Sequence, residues 1–240
     1  MANPKAILIF ESMKPAIQKE SINFLKTLAK NNNRDWFNAH KATYEKARTN
    51  ITEFADALLA EMNKHDHIET PSGKKSLYRF HRDVRFSKDK TPYSTYWSGA
   101  FRRATKKLRG GYYFHIEGGN TFLIGGFWGP NPDDLQRIRQ DIDLNHDEWR
   151  RVLADKTFKK TFGELRGEQI KSAPRGYAKD HEAIDLLRYK QFLIRHDFTD
   201  TDLYSADFVK KVNEVFKKMR PFFDHMSEIL TTDANGISLV

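Results

Sequence analysis

Residues 110–128 have the sequence Gly-Gly-Tyr-Tyr-Phe-His-Ile-Glu-Gly-Gly-Asn-Thr-Phe-Leu-Ile-Gly-Gly-Phe-Trp, and this stretch decides the fold class. Its first half alternates with a period of two, which is typical of a strand with two different faces. A turn at Gly118-Gly119-Asn120 is followed by a partner strand from Thr121 to Trp128. Gly125-Gly126 thins this partner strand, where a bulge or a close backbone contact is expected. The stretch therefore predicts a β-hairpin.

Helical patterns lie before the hairpin. Ser21 is a candidate N-cap, and a second helical stretch begins near Asp35. The clearest helix has an apolar stripe at i, i+3, i+4, i+7, i+8 and i+11, formed by Ile51, Phe54, Ala55, Leu58, Leu59 and Met62.

Similar patterns follow the hairpin. Asn131-Pro132 starts a helix, residues 192–194 suggest a strand, and Ser205 is expected to cap a last helix that Pro221 kinks or restarts. We predict one α+β domain over residues 1–240, with a central antiparallel sheet and helices from both ends of the chain packed on it.

Between these helices and the hairpin, Leu77 to Phe86 alternates and predicts a further strand. Its two faces carry Tyr78, Phe80, Val84 and Phe86 on one side, and Arg79, His81, Asp83 and Arg85 on the other. Residues 87–92 predict a turn, and residues 93–101 a short helix or an irregular segment.

The composition limits the classes of function. The 240 residues include no cysteine, which excludes disulfides, thiolate nucleophiles and zinc–thiolate sites. The apolar run Ala6–Phe10 predicts at most a short strand, since it is too short for a signal-peptide core or a membrane span. We therefore expect a cytoplasmic protein without a membrane partner.

The positive charge is local. Twelve Lys and Arg residues lie between Lys74 and Arg109, against Asp83 and Asp89, whereas the net charge of the whole chain is +9. This concentration favours an anionic partner, either a phosphate-bearing ligand or nucleic acid.

The first hypothesis is an anion-binding site. Its candidate residues are Arg79, Arg82, Arg85, Lys88, Lys90 and Tyr93, with Arg34 reaching them from a helix end. Arginine forks suit phosphate or carboxylate, and neighbouring aromatic rings could stack on bases. In the alternative hypothesis, these arginines pair with Asp83 and Asp89 and brace the fold.

The second hypothesis is catalysis. His81 with Asp83, and His115 with Glu117, are i, i+2 pairs in which a carboxylate could orient an imidazole. We place His81, Asp83 and His115 in acid–base roles on a phosphorylated or otherwise anionic substrate, against the alternative of solvated pairs.

The remaining signals give no cofactor and no metal site. His65-Asp66-His67 is interpreted as a solvated helix end. Nucleotide-binding, serine-hydrolase and zincin motifs are not found in the sequence.

Several stretches together resemble a widespread bacterial and fungal family catalogued as a domain of unknown function. The stretches that carry the resemblance are Asn32, Arg34, Trp36, Phe37, His40, Lys41 and Tyr44; Arg79, Arg82-Asp83 and Arg85 to Tyr93; Tyr112-Tyr113, His115, Gly126, Trp128 and Pro130; and Pro174, Gly176, Leu187 and Tyr189-Lys190. The resemblance covers about residues 20–225. Ser94 departs from it, because a lysine is expected after the Pro-Tyr pair.

This resemblance implies a single domain and no assigned activity. The sequence thus leaves three hypotheses open: an anion-binding protein, an enzyme, and a structural or protein-interaction module. It predicts neither an oligomeric state nor which of the three applies.

Overall fold

The computed structural model describes residues 16–233 and 237–240. It contains one antiparallel sheet in the order β1-β2-β3-β4. The strands are β1 (Trp97–Arg102), β2 (Gly111–Ile116), β3 (Thr121–Phe127) and β4 (Phe192–Phe198). The predicted hairpin is confirmed as β2 and β3, and the α+β class with it. The apolar run Ala6–Phe10 lies outside the described residues.

Helices precede and follow the first three strands. Before them come α1 (Lys19–Lys30), α2 (Arg34–Ala39), α3 (Lys41–Met62) and α4 (Gly73–Ser76). After β3 come α5 (Pro132–Ala154), α6 (Lys156–Phe162), α7 (Ile184–Leu187), α8 (Asp200–Leu203) and α9 (Phe208–Thr231). No helix among the described residues combines the length and apolar character needed to cross a membrane.

Helices α3 and α9 cover one face of the sheet. Phe54 of α3 meets Phe114 edge-on at 5.8 Å between ring centroids, and Phe216 and Phe223 of α9 lie 4.8 and 4.9 Å from the ring of Tyr112. All six residues of the predicted α3 stripe are buried. The hydrophobic core therefore lies between these two helices and the inward face of the sheet.

Gly125 allows α9 to approach the sheet closely. A Cβ atom at Gly125 would lie 2.3 Å from Sδ of Met219 and 2.8 Å from Cζ of Phe223. Its neighbour Gly126 has φ +136°, and a Cβ there would lie 2.1 Å from the Phe192 carbonyl oxygen of β4. The predicted close backbone contact at this glycine pair is thus confirmed.

The predicted strand from Leu77 to Phe86 is wrong. Only isolated bridges occur there, from Leu77 to Gly99 and from His81 to Tyr93. Phe80 is buried, but Phe86 is 95% exposed, so the alternating pattern does not mark one buried face. Residues 93–101 were also predicted wrongly, because β1 begins at Trp97 and pairs with β2.

Two predicted helix caps are also corrected. Gln18 precedes α1, and the buried Ser21 hydroxyl donates to Oδ1 of Asn50 at 3.0 Å. Asp207 precedes α9, whereas the Ser205 hydroxyl donates to the Asp202 carbonyl at 2.6 Å. Both serines are therefore used in tertiary or loop hydrogen bonds. Pro221 lies inside α9, which continues past it.

Candidate anion-binding site

Residues 79–93, here called the basic loop, leave and rejoin the edge of the sheet next to β1. The Arg82 amide donates to the Pro92 carbonyl at 2.9 Å, and the Ser94 amide donates to the Phe80 carbonyl at 2.9 Å. The two ends of the loop are thus held side by side, and its tip projects from them.

The N-terminal helices anchor the base of the loop. The Asn32 side chain donates to the Tyr93 carbonyl at 2.9 Å and accepts from the Tyr93 amide at 3.2 Å, as a neighbouring strand would. The ring of Phe37 stacks on that of Tyr93 at 4.0 Å, and Tyr44 lies 4.9 Å from Phe80. Tyr93, a predicted anion-binding residue, is buried by these contacts.

Two arginines of the loop are paired inside it. Arg82 donates to Oδ2 of Asp89 at 2.5 Å and to both the carbonyl and the hydroxyl of Thr91. Arg85 binds Asp83 with two parallel bonds, Nε to Oδ1 at 3.0 Å and Nη2 to Oδ2 at 2.7 Å. These are the partners that the bracing alternative names.

The carboxylates respond to these contacts. The Thr91 amide, together with Arg82, lowers the pKa of Asp89 to about 2. Hydrogen bonds from the side chain and backbone of Arg85 lower the pKa of Asp83. Both acids are therefore ionised at neutral pH and offset part of the positive charge of the loop.

The other predicted cations have different surroundings. Nζ of Lys90 donates to the Val84 carbonyl at 3.0 Å and closes the tip of the loop. Arg34, Arg79 and Lys88 make no side-chain hydrogen bond or ion pair with the described residues.

The same contrast holds across the basic segment Lys74–Arg109. Four of its twelve cations bind carboxylates, namely Arg82, Arg85, Arg103 and Arg109. The other eight have no carboxylate partner among the described residues: Lys74, Lys75, Arg79, Lys88, Lys90, Arg102, Lys106 and Lys107. Most of the local charge is therefore not paired with a carboxylate of the described residues.

A cavity of about 390 Å³, here called the loop pocket, lies between α2 and the basic loop. Its lining includes Arg34, Asn38, His81, Arg82 and Tyr93, and no carboxylate from the part of the chain that the structure describes. The structure thus brings Arg34 to the central motif, as the sequence hypothesis requires.

A second cavity of about 350 Å³, here called the helix pocket, lies between α3 and the loop. Lys41, Arg48 and Arg79 are its cations, and Glu45 is its carboxylate. His81 lines both pockets. Sequence analysis did not single out Arg48, although its position one turn after Tyr44 on α3 is a signal that could have found it.

The two predicted His–acid pairs differ in the structure. Asp83 is bound by Arg85, and the exposed His81 contacts the rings of Tyr93 and Phe37 instead. Nε2 of His115, in contrast, lies 3.1 Å from Oε2 of Glu117. His115 is buried between Phe122, stacked at 4.5 Å, and Tyr96 at 4.3 Å, and this burial lowers its pKa. His115 lines neither of the two pockets.

The interpretation of His65-Asp66-His67 as a solvated helix end is wrong for Asp66. Its side chain is 1% exposed and lies 2.9 Å from Nε of Arg103, and Tyr112 donates to it at 2.6 Å. Arg220 of α9 lies 3.5 Å from its other oxygen. This buried network joins the end of α3 to the sheet and to α9. Sequence spacing gave no signal for it.

No group of three or more His, Cys, Asp or Glu side chains in residues 16–233 and 237–240 is arranged to hold a metal ion.

The fold and the candidate site define an α+β protein in which one antiparallel sheet carries a basic loop at its edge. A comparison with family models matches residues 20–225 to the conserved hypothetical protein family DUF2461. The chain belongs to that family. The matched range is the one that the resemblance covers in the sequence. No curated protein and no solved structure matches the chain.

Proposed function

We propose that the protein binds a phosphate-bearing anion at the loop pocket and the adjoining helix pocket. One observation carries this proposal: Arg34, His81 and Arg82 line a cavity to which the described residues contribute no carboxylate. Guanidinium groups bind phosphate oxygens through paired, charge-assisted hydrogen bonds.

The paired and unpaired arginines have complementary parts in this proposal. Asp89 and Thr91 hold the Arg82 guanidinium in place before any ligand arrives. A group that is already oriented loses less conformational entropy on binding. Arg34 and Arg79 have no such partner among the described residues, so an anion would meet their full charge.

The test is binding of defined anions to the purified protein. Inorganic phosphate, sulfate, nucleotides and sugar phosphates are titrated by calorimetry and by thermal melting at two salt concentrations. A ligand at about 100 times its Kd stabilises a protein by about 2.7 kcal/mol, which is readily seen as a rise in Tm.

The decisive variants are Arg34→Glu and Arg79→Glu, because both side chains are exposed and unpaired in the described structure. The matched control is Lys210→Glu, an exposed α9 cation with no ion pair among the described residues. We expect each arginine variant to weaken phosphate binding by about tenfold or more, and the control to leave it unchanged. Equal losses in all three would show a general charge effect and contradict the proposal.

A second candidate function, an enzyme acting on a phosphorylated or other anionic substrate, is favoured by the position of His81. This exposed imidazole lines both pockets beside arginines and makes no side-chain hydrogen bond with the described residues. An imidazole so placed could transfer a proton to or from a bound phosphoester. Hydrolysis of phosphomonoester and phosphodiester substrates that His81→Gln abolishes, while phosphate still binds, would support it. If the variant retains the full rate, His81 has no such role.

A further inference from the structure

The sheet has a face that α3 and α9 do not cover. Residues on this outer face alternate with the core residues, and the register sets Ala100, Tyr113 and Ile124 side by side across three strands. A groove of about 880 Å³, here called the sheet groove, runs over this face. Gly111 and Gly126 pair in its floor, so no side chain fills it there.

Aromatic rings line this groove at both rims and in its floor. Tyr78 and Trp128 are 59% and 42% exposed. The ring of Tyr113 lies between them, 6.1 Å from Tyr78 and 6.0 Å from Trp128. Phe122 also lines the floor. Large exposed rings gathered in one concave surface mark a binding site rather than ordinary surface.

The outer face already holds one flat cation by stacking. The guanidinium carbon of Arg195 lies 3.7 Å from the centre of the Phe122 ring, which is close enough for a cation–π contact. A ring of this face can therefore stack on a planar charged group, although Phe122 itself is already engaged by Arg195 and by His115.

The charge around the groove is positive. Lys75 and Arg102 line the sheet groove. A second groove of about 400 Å³ shares Glu69, Arg102 and Gly110 with the sheet groove, and Lys106 is a further cation in its lining. These three cations have no carboxylate partner among the described residues, and Glu69 is the one acidic side chain in the described lining of either groove. A ligand that combines planar rings with negative charge fits this surface.

The sheet groove continues into the pockets of the basic loop. Leu77 and Tyr78 line both the sheet groove and the helix pocket, and His81 lines both the helix pocket and the loop pocket. Cations without a carboxylate partner among the described residues therefore lie along one path of adjoining sites: Lys106, then Arg102 and Lys75, then Arg79, then Arg34.

We propose that single-stranded nucleic acid binds along this path, with its bases stacked on Tyr78, Tyr113 and Trp128. Its phosphates would contact the unpaired cations; this part rests on the proposed anion-binding function, whereas the stacking face is a separate site. A duplex would not fit, because paired bases do not present their flat sides to protein rings.

The test is fluorescence anisotropy with labelled single-stranded RNA and DNA of about 12 nucleotides, a length within the usual range for such sites. Loss of one stacking ring costs about 1–3 kcal/mol per base, so we expect Trp128→Leu and Tyr78→Leu each to weaken binding by about fivefold or more. Leu144→Ala, at a 74% exposed apolar residue on α5, is the matched control and should leave binding unchanged.

The same variants separate this proposal from the anion site. Trp128→Leu should leave binding of inorganic phosphate intact, whereas Arg34→Glu should reduce it. If phosphate binds but Trp128→Leu has no effect on the oligonucleotides, the stacking proposal falls and the anion site stands. If oligonucleotide binding depends on Trp128 while phosphate and nucleotides do not bind, the stacking proposal stands and the anion site falls.

Two further outcomes would overturn the stacking proposal. One is equal affinity for duplex and single strand. The other is that no oligonucleotide binds, light scattering shows a dimer, and Trp128→Leu dissociates that dimer. The groove would then be an interface between copies of this chain.

Discussion

At the residue scale, two aspartates pair with two of the three arginines of the basic loop. Asp89 holds Arg82 and Asp83 holds Arg85, while Arg79 is left unpaired in the described structure. Partners two and seven positions apart are equally compatible with the sequence, so composition alone could not assign them. The pairs that the bracing hypothesis names are thus present in the loop, while Arg79 has no such partner among the described residues.

Asp66 gives the clearest prediction at this scale. Asp66→Asn removes the carboxylate that faces the fully buried Arg103. Breaking a buried ion pair by removing one partner leaves an uncompensated charge and costs about 3–5 kcal/mol. Asp224, 2.6 Å from the other side of the Arg103 guanidinium, should keep the loss toward the lower end of that range. The free energy of unfolding, measured with urea, checks this.

The control for Asp66→Asn is Glu61→Gln, which breaks the exposed pair with Lys64. Exposed pairs contribute about 0–1 kcal/mol, so this variant should unfold almost like the parent protein. A similar small effect for Asp66→Asn would mean that the network around Arg103 adds little to stability.

At the element scale, the elements that the sequence predicts correctly are those whose pattern is local. The α3 stripe and the β2–β3 hairpin each bury one regular face, so their periodicity predicted them correctly. Strand β1 was missed because its inward series runs Trp97, Gly99, Phe101, and the glycine in the middle breaks the apolar pattern. Gly99 is needed there, since a Cβ would lie 2.6 Å from the Phe114 ring.

In the basic loop the error is the opposite one, because a strand was predicted where only isolated bridges form. The loop has the alternation of a strand, but Phe80 is buried by Tyr44 and Trp97, whereas Phe86 is in solvent. Only tertiary contacts distinguish these two residues. The candidate cations were found from the sequence because they are adjacent in it. Their division into paired and unpaired groups depends on the path of the loop itself, whereas the sheet groove beside them is built from segments distant in the sequence.

The fit of α9 against the sheet leads to a second prediction. Gly125→Ala places a methyl group within 2.3 Å of Sδ of Met219, so α9 or that side chain must shift. Overpacking of this kind costs about 1–3 kcal/mol. The double variant Gly125→Ala/Met219→Ala should lose less than the sum of the two single losses, as measured by a double-mutant cycle in urea.

Gly129→Ala is the matched control, because a Cβ at Gly129 has nothing within 4 Å. Its effect on the free energy of unfolding should be small. Strict additivity in the double-mutant cycle would show that Met219 is not what excludes a side chain at Gly125.

At the scale of the whole molecule, the buried His115 and the partly buried His225 couple folding to pH. Burial lowers the pKa of both His115 and His225, partly opposed by Glu117 at the first and by Asp141 at the second. A depressed folded-state pKa means that the unfolded chain takes up protons first. The stability is therefore fully present above the ordinary histidine pKa, about 6.5, and declines as the pH falls below it.

We expect the free energy of unfolding to decrease from about pH 8 to about pH 5, and the double variant His115→Gln/His225→Gln to show a smaller decrease. His67→Gln, at an exposed position, should keep the slope of the parent protein. An unchanged slope in the double variant would assign the acid sensitivity to other groups.

The pockets beside the sheet share Tyr78 and His81 as dividing walls, and this arrangement has a kinetic consequence. In the proposed binding mode, a chain-like ligand that leaves one pocket would still be held in the next, so the released part would be recaptured at a high effective concentration. Residence time should therefore lengthen steeply once a ligand is long enough to reach a second pocket. A mononucleotide would exchange quickly even where every individual contact is the same.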